Sequence, residues 1–213
     1  MTATCRGGPE PLVYQRVEGP AALPVSLGRA IRHLRLDEAD LDSVESDLIE
    51  AAIAAATEHL DGRAGILRLA LLTQLWQATT DRPARAVRGA ASGFALELGP
   101  LQAVTKVEYL TGGAYAVLPP ASWRAIRTSS RRTVLIAAGG LPWPAVDRDP
   151  EAWRITFRVG YGDADDAVPA PIRSAMLLLI ADLYDNRDGK VQANLVPNTT
   201  VDRLLWPYMP VEA

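Results

Sequence analysis

The sequence is poor in the residues that carry covalent and metal chemistry: 213 residues hold one cysteine and two histidines. The lone thiol, Cys5, closes no internal disulfide and reads as an ordinary thiol rather than a nucleophile, so a reducing compartment is expected. The imidazoles, His33 and His59, each stand alone on a predicted helix, with no HExxH spacing or cysteine pair to complete a metal site. Long apolar runs are also missing. The longest, 175–181, is far short of the ~20 residues that cross a bilayer. The opening "MTATCRGGPEPLVYQ" lacks the apolar core of a secretory signal, and the expectation is a chain that stays in the cytosol where it is made. Basic excess is lacking too: the formal net charge is −3, so proteins and small molecules are expected as partners before nucleic acid.

What is present suits a folded protein. A hydrophobic fraction of 48% against 22% charged allows burial to offset chain entropy, and the length fits one domain of ordinary size. Residues 1–24, rich in Gly, Pro and polar groups without a period, read as an N-terminal arm ahead of a single domain at 25–213. Ser26 stands at an N-cap position before Leu27, Ile31 and Leu34 at helical spacing, which predicts a helix over 26–36. A second helix is predicted over 43–62. Its apolar stripe is Val44, Leu48, Ala52, Ile53, Ala56 and Leu60, with acids in the first turn and Gly62 and Gly65 as stops.

From Ile66 the period shortens. Alternating β-rich segments separated by turn residues predict a small antiparallel sheet between about 67 and 160, with "TGGAY" at Thr111–Tyr115 as the hairpin turn after a strand at 103–110. Pro169 and Pro171 then open a helix over 171–186, apolar nearly all round, and the closing segment is a loop, a helical turn at 199–205 and a tail. The predicted class is α+β: a small helical bundle, two N-terminal helices plus a C-terminal one, with an inserted antiparallel β-sheet. A helix as apolar as 171–186 needs cover on more than one side, which makes Met176, Leu179, Ile180 and Leu183 candidates for a subunit contact.

Asp163, Asp165 and Asp166 are the best metal candidates, but Ala167 stands where a third ligand belongs and proline follows, so a solvated loop complementing a helix start is favoured. "GYG" at Gly160–Gly162 lacks a third glycine and the lysine–hydroxyl pair of a phosphate loop, and acids follow it. "GAASG" at Gly89–Gly93 has the wrong order for a serine elbow and reads as a flexible loop tip. "RTSSRR" at Arg127–Arg132 reads as a polar hairpin tip. In "LLWPYMP", the residues Leu204, Leu205, Trp206, Tyr208 and Met209 are of the anchoring kind, and two readings stay open: docking on a partner, or packing back on the chain's own helices.

In order along the chain, "VSLGRAIRHLRLD", "DLIEAAIAAATEHLDGRAG", "LLTQLW", "GPLQAVTKVEYL" and "ITFRVGYG" with "VPAPIRSAMLLLIADLYDNRD" resemble the head–tail connector, or adaptor, family of long-tailed bacteriophages and gene transfer agents, over about 25–206. The resemblance implies a non-enzymatic structural protein without cofactor or metal, forming a homo-oligomeric ring, usually dodecameric. Such a ring sits between the portal protein and the stopper or tail-completion protein, and DNA passes through its centre. It implies a place in the virion or gene transfer agent particle, assembled in the bacterial cytoplasm, with no membrane partner. It also implies that the C-terminal segment at about 198–213 docks on the portal, and that the β insertion faces neighbours or the next tail component. The long arm and the 139–151 loop depart from shorter members of the family. The alternatives are a small metal-dependent hydrolase or ligand-binding domain using Asp163, Asp165 and His59, and a neighbouring tail-completion or stopper protein.

Overall fold

A computed structural model describes residues 12–37, 39, 41–87, 90–186 and 199–210. Cys5, Gly89, the first part of the arm and the two ends of the expected docking tail lie outside the described residues. The described residues form an α+β protein with four α-helices and two antiparallel sheets, and the sheets hold more of the chain than the helices. Backbone contacts divide it into two compact units. One comprises Gln74–Gly160 with the segment up to Gly19, and the other comprises Pro20–Thr73 with the chain from Tyr161 onward.

In the helical unit, α1 (Leu27–Leu34) begins after an extended Ser26 and is closed by Arg35 in the left-handed region at φ 60°. The Leu36 amide then donates to the Ile31 carbonyl, satisfying one of the carbonyls a helix end leaves unpaired. Helix α2 (Ser43–Leu60) is capped by Asp42, whose carboxylate accepts from the Glu45 amide at 2.8 Å. Its buried stripe is Ile49, Ala52, Ile53, Ala56 and Leu60. Val44 and Leu48, expected in that stripe, are instead exposed: at about 3.6 residues per turn they lie at its edge, beyond Ala52, while Ile49 falls between Ala56 and Leu60 near its centre. Helix α3 (Ala170–Asp185) starts on a proline and buries Ile172, Ala175, Met176 and Ile180 against α2, and α4 (Thr199–Leu205) adds Val201 and Leu205 to the same core.

The segment after α2 corrects the expected sheet boundary. Residues 61–73 are not a sheet strand but an irregular strap that buries Leu67, Leu69, Leu71 and Leu72 in the helical core. Burial does not alternate along it, since Leu69, Ala70, Leu71 and Leu72 are all buried, and among the described residues no sheet strand pairs with it. The strap is held by the Gly62 amide on the Leu69 carbonyl at 2.7 Å and by the Asp61 carboxylate, which accepts from the Leu71 amide at 2.7 Å.

The β unit contains two sheets where one was expected. Strands β1 (Val13–Glu18), β2 (Gln74–Thr80), β5 (Leu101–Thr111), β6 (Ala114–Val117) and β9 (Trp153–Val159) form a sheet in the order β1-β2-β9-β5-β6. Strands β3 (Ala84–Val87), β4 (Ala90–Leu96), β7 (Trp123–Arg127) and β8 (Thr133–Ala137) form the other, in the order β3-β4-β8-β7. Every second residue of β2 and β9 is buried, the pattern of a sheet with one solvated face. The two sheets meet through aromatics: the Phe94 ring lies 5.1 Å from Trp153 and 4.9 Å from Trp143, which comes from the 139–151 loop. The part of the arm at 13–18, expected to be a loose lead-in, is strand β1, antiparallel to β2. Tyr14 explains why it is held: its hydroxyl accepts from the Glu97 amide at 2.8 Å and donates to the Ala95 carbonyl at 3.4 Å, and its ring meets Phe157 edge-on.

The expected hairpin at Thr111–Tyr115 is present, with Gly112 and Gly113 at φ 60° and 77° joining β5 to β6. Of the segment read as a loop tip, the described residues 90–93 belong instead to β4. Gly93 sits opposite Ile136, where a side-chain carbon would come within 2.5 Å of the Leu135 carbonyl oxygen. Close approach of a neighbouring strand, not turn flexibility, is the reason for that glycine.

Candidate assembly surfaces

The residues set aside for hydrolysis are not gathered. His59 and His33 are exposed on the last turns of α2 and α1. Asp165 pairs with Arg29 at 3.3 Å and opens a short 3-10 turn at Asp165–Ala167, while Asp163 and Asp166 face solvent. Among the described residues no three His, Cys, Asp or Glu side chains come together as a metal set. The 160–162 segment carries the chain out of β9: the Gly160 amide donates to the Pro100 carbonyl and the Gly162 carbonyl accepts from Thr73 at 2.9 Å. Its glycines serve backbone pairing.

The 139–151 loop is equally committed to structure. A polar cleft of about 560 Å³ opens beside it, lined in part by Asp81, Arg82, Asp147 and Asp149. The acids there already have partners: Asp147 accepts from the Gly113 amide at 2.8 Å, Asp149 from the Glu151 amide at 2.7 Å, and Asp81 faces Arg82 at 3.5 Å. Beside the cleft the Arg154 guanidinium lies 3.9 Å over the Tyr115 ring while bonding Glu151 at 2.9 Å, and the Tyr115 hydroxyl donates to the Glu151 carbonyl at 2.8 Å. Burial pushes the Tyr115 phenol above its ordinary value; Arg154 opposes that shift, and Asp149, Glu151 and Glu108 reinforce it. The sequence offered no signal for this cluster, because its members are brought together by strand pairing.

The anchoring candidates are divided by the fold. Met176 and Ile180 are fully buried in the chain's own helical core, so they have no surface left for a neighbouring subunit. Leu179 is half-buried, and Leu183 is 45% exposed. In the closing segment Leu205 is buried in that same core, and Leu204 and Tyr208 pack partly against it. Trp206, in the 3-10 turn Trp206–Tyr208, is 78% exposed, and Met209 is exposed beside it. The packing-back reading thus holds for Leu204, Leu205 and Tyr208, while the Trp206 indole between them faces water. The sequence also missed Tyr184, whose hydroxyl donates to the Glu45 carboxylate and ties the end of α3 to the start of α2. No helix among the described residues is long and apolar enough to cross a membrane.

The fold has known counterparts although the sequence has no close ones. No protein-family model matches the chain, and no curated protein matches it significantly. Solved structures do match. A chain described as "Neck of empty GTA particle computed with C6 symmetry" superposes with a TM-score of 0.69 at 23% identity, over 94% of this chain and 97% of that one. A chain of the "Virion of native gene transfer agent (GTA) particle" matches over the same shares with a TM-score of 0.67 at 22% identity. A third, from the "Neck of native GTA particle computed with C12 symmetry", gives 0.62 at 23% identity, again over 94% and 97%. At these identities the likeness establishes a shared fold: over 94% of its length this chain is built like a gene transfer agent neck or virion chain.

Proposed function

We propose that this protein is a structural head–tail connector, or adaptor, that forms a homo-oligomeric ring in the neck of a phage or gene transfer agent particle, without catalysis and without a cofactor. One observation carries the proposal: the chain matches a neck chain over 94% of this protein and 97% of that one. The neighbours' descriptions with C6 and C12 symmetry support a ring, since a head-to-tail contact repeated with a closing rotation generates one. In this reading the ring lies between the portal protein and a stopper or tail-completion protein. DNA passes through its centre in packaging and ejection, and the ring is assembled in the bacterial cytoplasm.

The surfaces that remain after folding support a reading of the contacts. Trp206 and Met209, held up by the buried Val201 and Leu205, present an apolar projection suited to a pocket on the portal. Leu179 and Leu183, one turn apart on α3, are what that helix has left for a neighbouring subunit. Electron microscopy of the purified protein, alone and mixed with purified portal protein, tests the proposal. Rings of resolvable symmetry are expected, either free or seated on the portal. A chain that stays monomeric in both samples overturns the reading.

A further inference from the structure

The outward side of α2 has a second apolar seam that its own core does not use. Val44 (65% exposed), Leu48 (39% exposed), Ala51 and Ala55 follow at intervals of four, three and four residues, the spacing of a helix–helix contact. Asp47, Glu50 and Glu58 lie along one flank of this seam, all exposed. The outward side of α1 has the opposite charge. Arg32 and His33 are exposed on it, Arg35 is exposed at its end, and the eight residues of the helix include no acid. Arg29, by contrast, is already paired with Asp165. Among the described residues, none of Arg32, Arg35, Asp47 and Glu50 has an ion-pair partner.

We infer that the basic face of α1 in one copy packs on the acidic, apolar outward face of α2 in the next copy, and that this is a subunit contact of the ring. The inference rests on the connector reading and names a surface of it. Two faces of one chain that match in charge need a second molecule to meet. Within the chain α1 turns Ala30 and Ile31 into the core it shares with α2 and α3, which points its basic side away from the outward face of α2. The chemistry suits arginine. Its aliphatic stem covers the Val44–Leu48–Ala51 seam while its guanidinium reaches a flanking carboxylate, and Arg32 and Arg35 are spaced like Asp47 and Glu50, three residues apart. The contact is heterologous, each copy giving one face and receiving on the other, as a closed ring demands. It also neutralises the arginines, which keeps them from gripping DNA phosphates in transit.

The test is a charge exchange in the full chain, with ring formation read by sedimentation and electron microscopy with and without portal protein. Arg32→Glu with Arg35→Glu, and separately Asp47→Arg with Glu50→Arg, are each expected to reduce the ring fraction by about tenfold or more at low salt. Combining all four substitutions is expected to restore it to within about threefold of wild type, because the two faces again oppose. All four residues are exposed, so circular dichroism and melting are expected to match wild type. Wild-type rings together with undiminished rings from both double variants overturn the pairing alone. So does a folded fourfold variant that fails to recover, or a double variant that keeps its rings and loses only portal or DNA binding. A wild-type chain that forms no ring with or without portal overturns the connector reading and the pairing with it.

Discussion

Two substitutions on α3 separate the residues that build the helical unit from those left for assembly. Met176 is fully enclosed by the α2, α3 and α4 core, so Met176→Ala removes a side chain whose space the surroundings can only partly refill, at a cost of about 2–5 kcal/mol. For a chain of this size each kcal/mol moves the melting midpoint by about 2–4 °C, so the helical unit is expected to melt on the order of 5–15 °C lower. Leu183, with 45% of its surface in water, loses well under the roughly 1.5–3 kcal/mol of a full burial. Leu183→Ala is therefore expected to melt within about 3 °C of wild type and to reduce the yield of rings instead. Met176→Ala, held below its own midpoint, is expected to assemble normally, because its side chain never reaches the surface. Differential scanning calorimetry and electron microscopy on the same samples decide the matter. If Leu183→Ala lowers the melt as far as Met176→Ala does, or if Met176→Ala melts with wild type, the division of α3 into a core face and an assembly face is refuted.

Tyr14→Phe deletes the hydroxyl that accepts from Glu97 and donates to Ala95, and is expected to cost about 0.5–1.5 kcal/mol in urea unfolding and to speed amide exchange in β1; unchanged exchange would show that the strand is held by other means. Tyr115 is expected to ionise above the ordinary tyrosine value in an ultraviolet pH titration, read as the difference between wild type and Tyr115→Phe. Because the folded value is the raised one, the stabilisation from its neutral phenol is complete below the ordinary tyrosine value and is lost as pH rises through the folded value; a Tyr115 that ionises at or below the ordinary value would contradict the burial that causes the shift.

The sequence by itself determined the elements whose signal is local. Helix α2 with its acidic start, α3 behind its prolines, the α4 turn and the Gly112–Gly113 hairpin all stand within a few residues of where periodicity and turn chemistry put them, since each depends on neighbours close in the chain. The order of short signatures also pointed to a structural protein of phage or gene transfer agent particles, and the solved chains that share this fold come from gene transfer agent particles.

Tertiary structure alone decided everything that depends on distant partners. Residues 67–72 read like a strand but line a helical core, residues 13–18 resemble an arm but pair with β2, and one expected sheet is two. An apolar pattern reports only that side chains are buried, not what buries them. The same holds for surfaces. An all-round apolar α3 and an aromatic tail showed an excess of hydrophobic residues, but which of them the chain would use itself was undetermined until Met176, Ile180 and Leu205 went inward and Leu183, Trp206 and Met209 did not. On α2 the placing of Ile49 in the core face left Val44 and Leu48 in water beside the exposed Asp47 and Glu50. A helix has one sequence but several faces, and only the packing of the rest of the chain selects which face is left over for another copy.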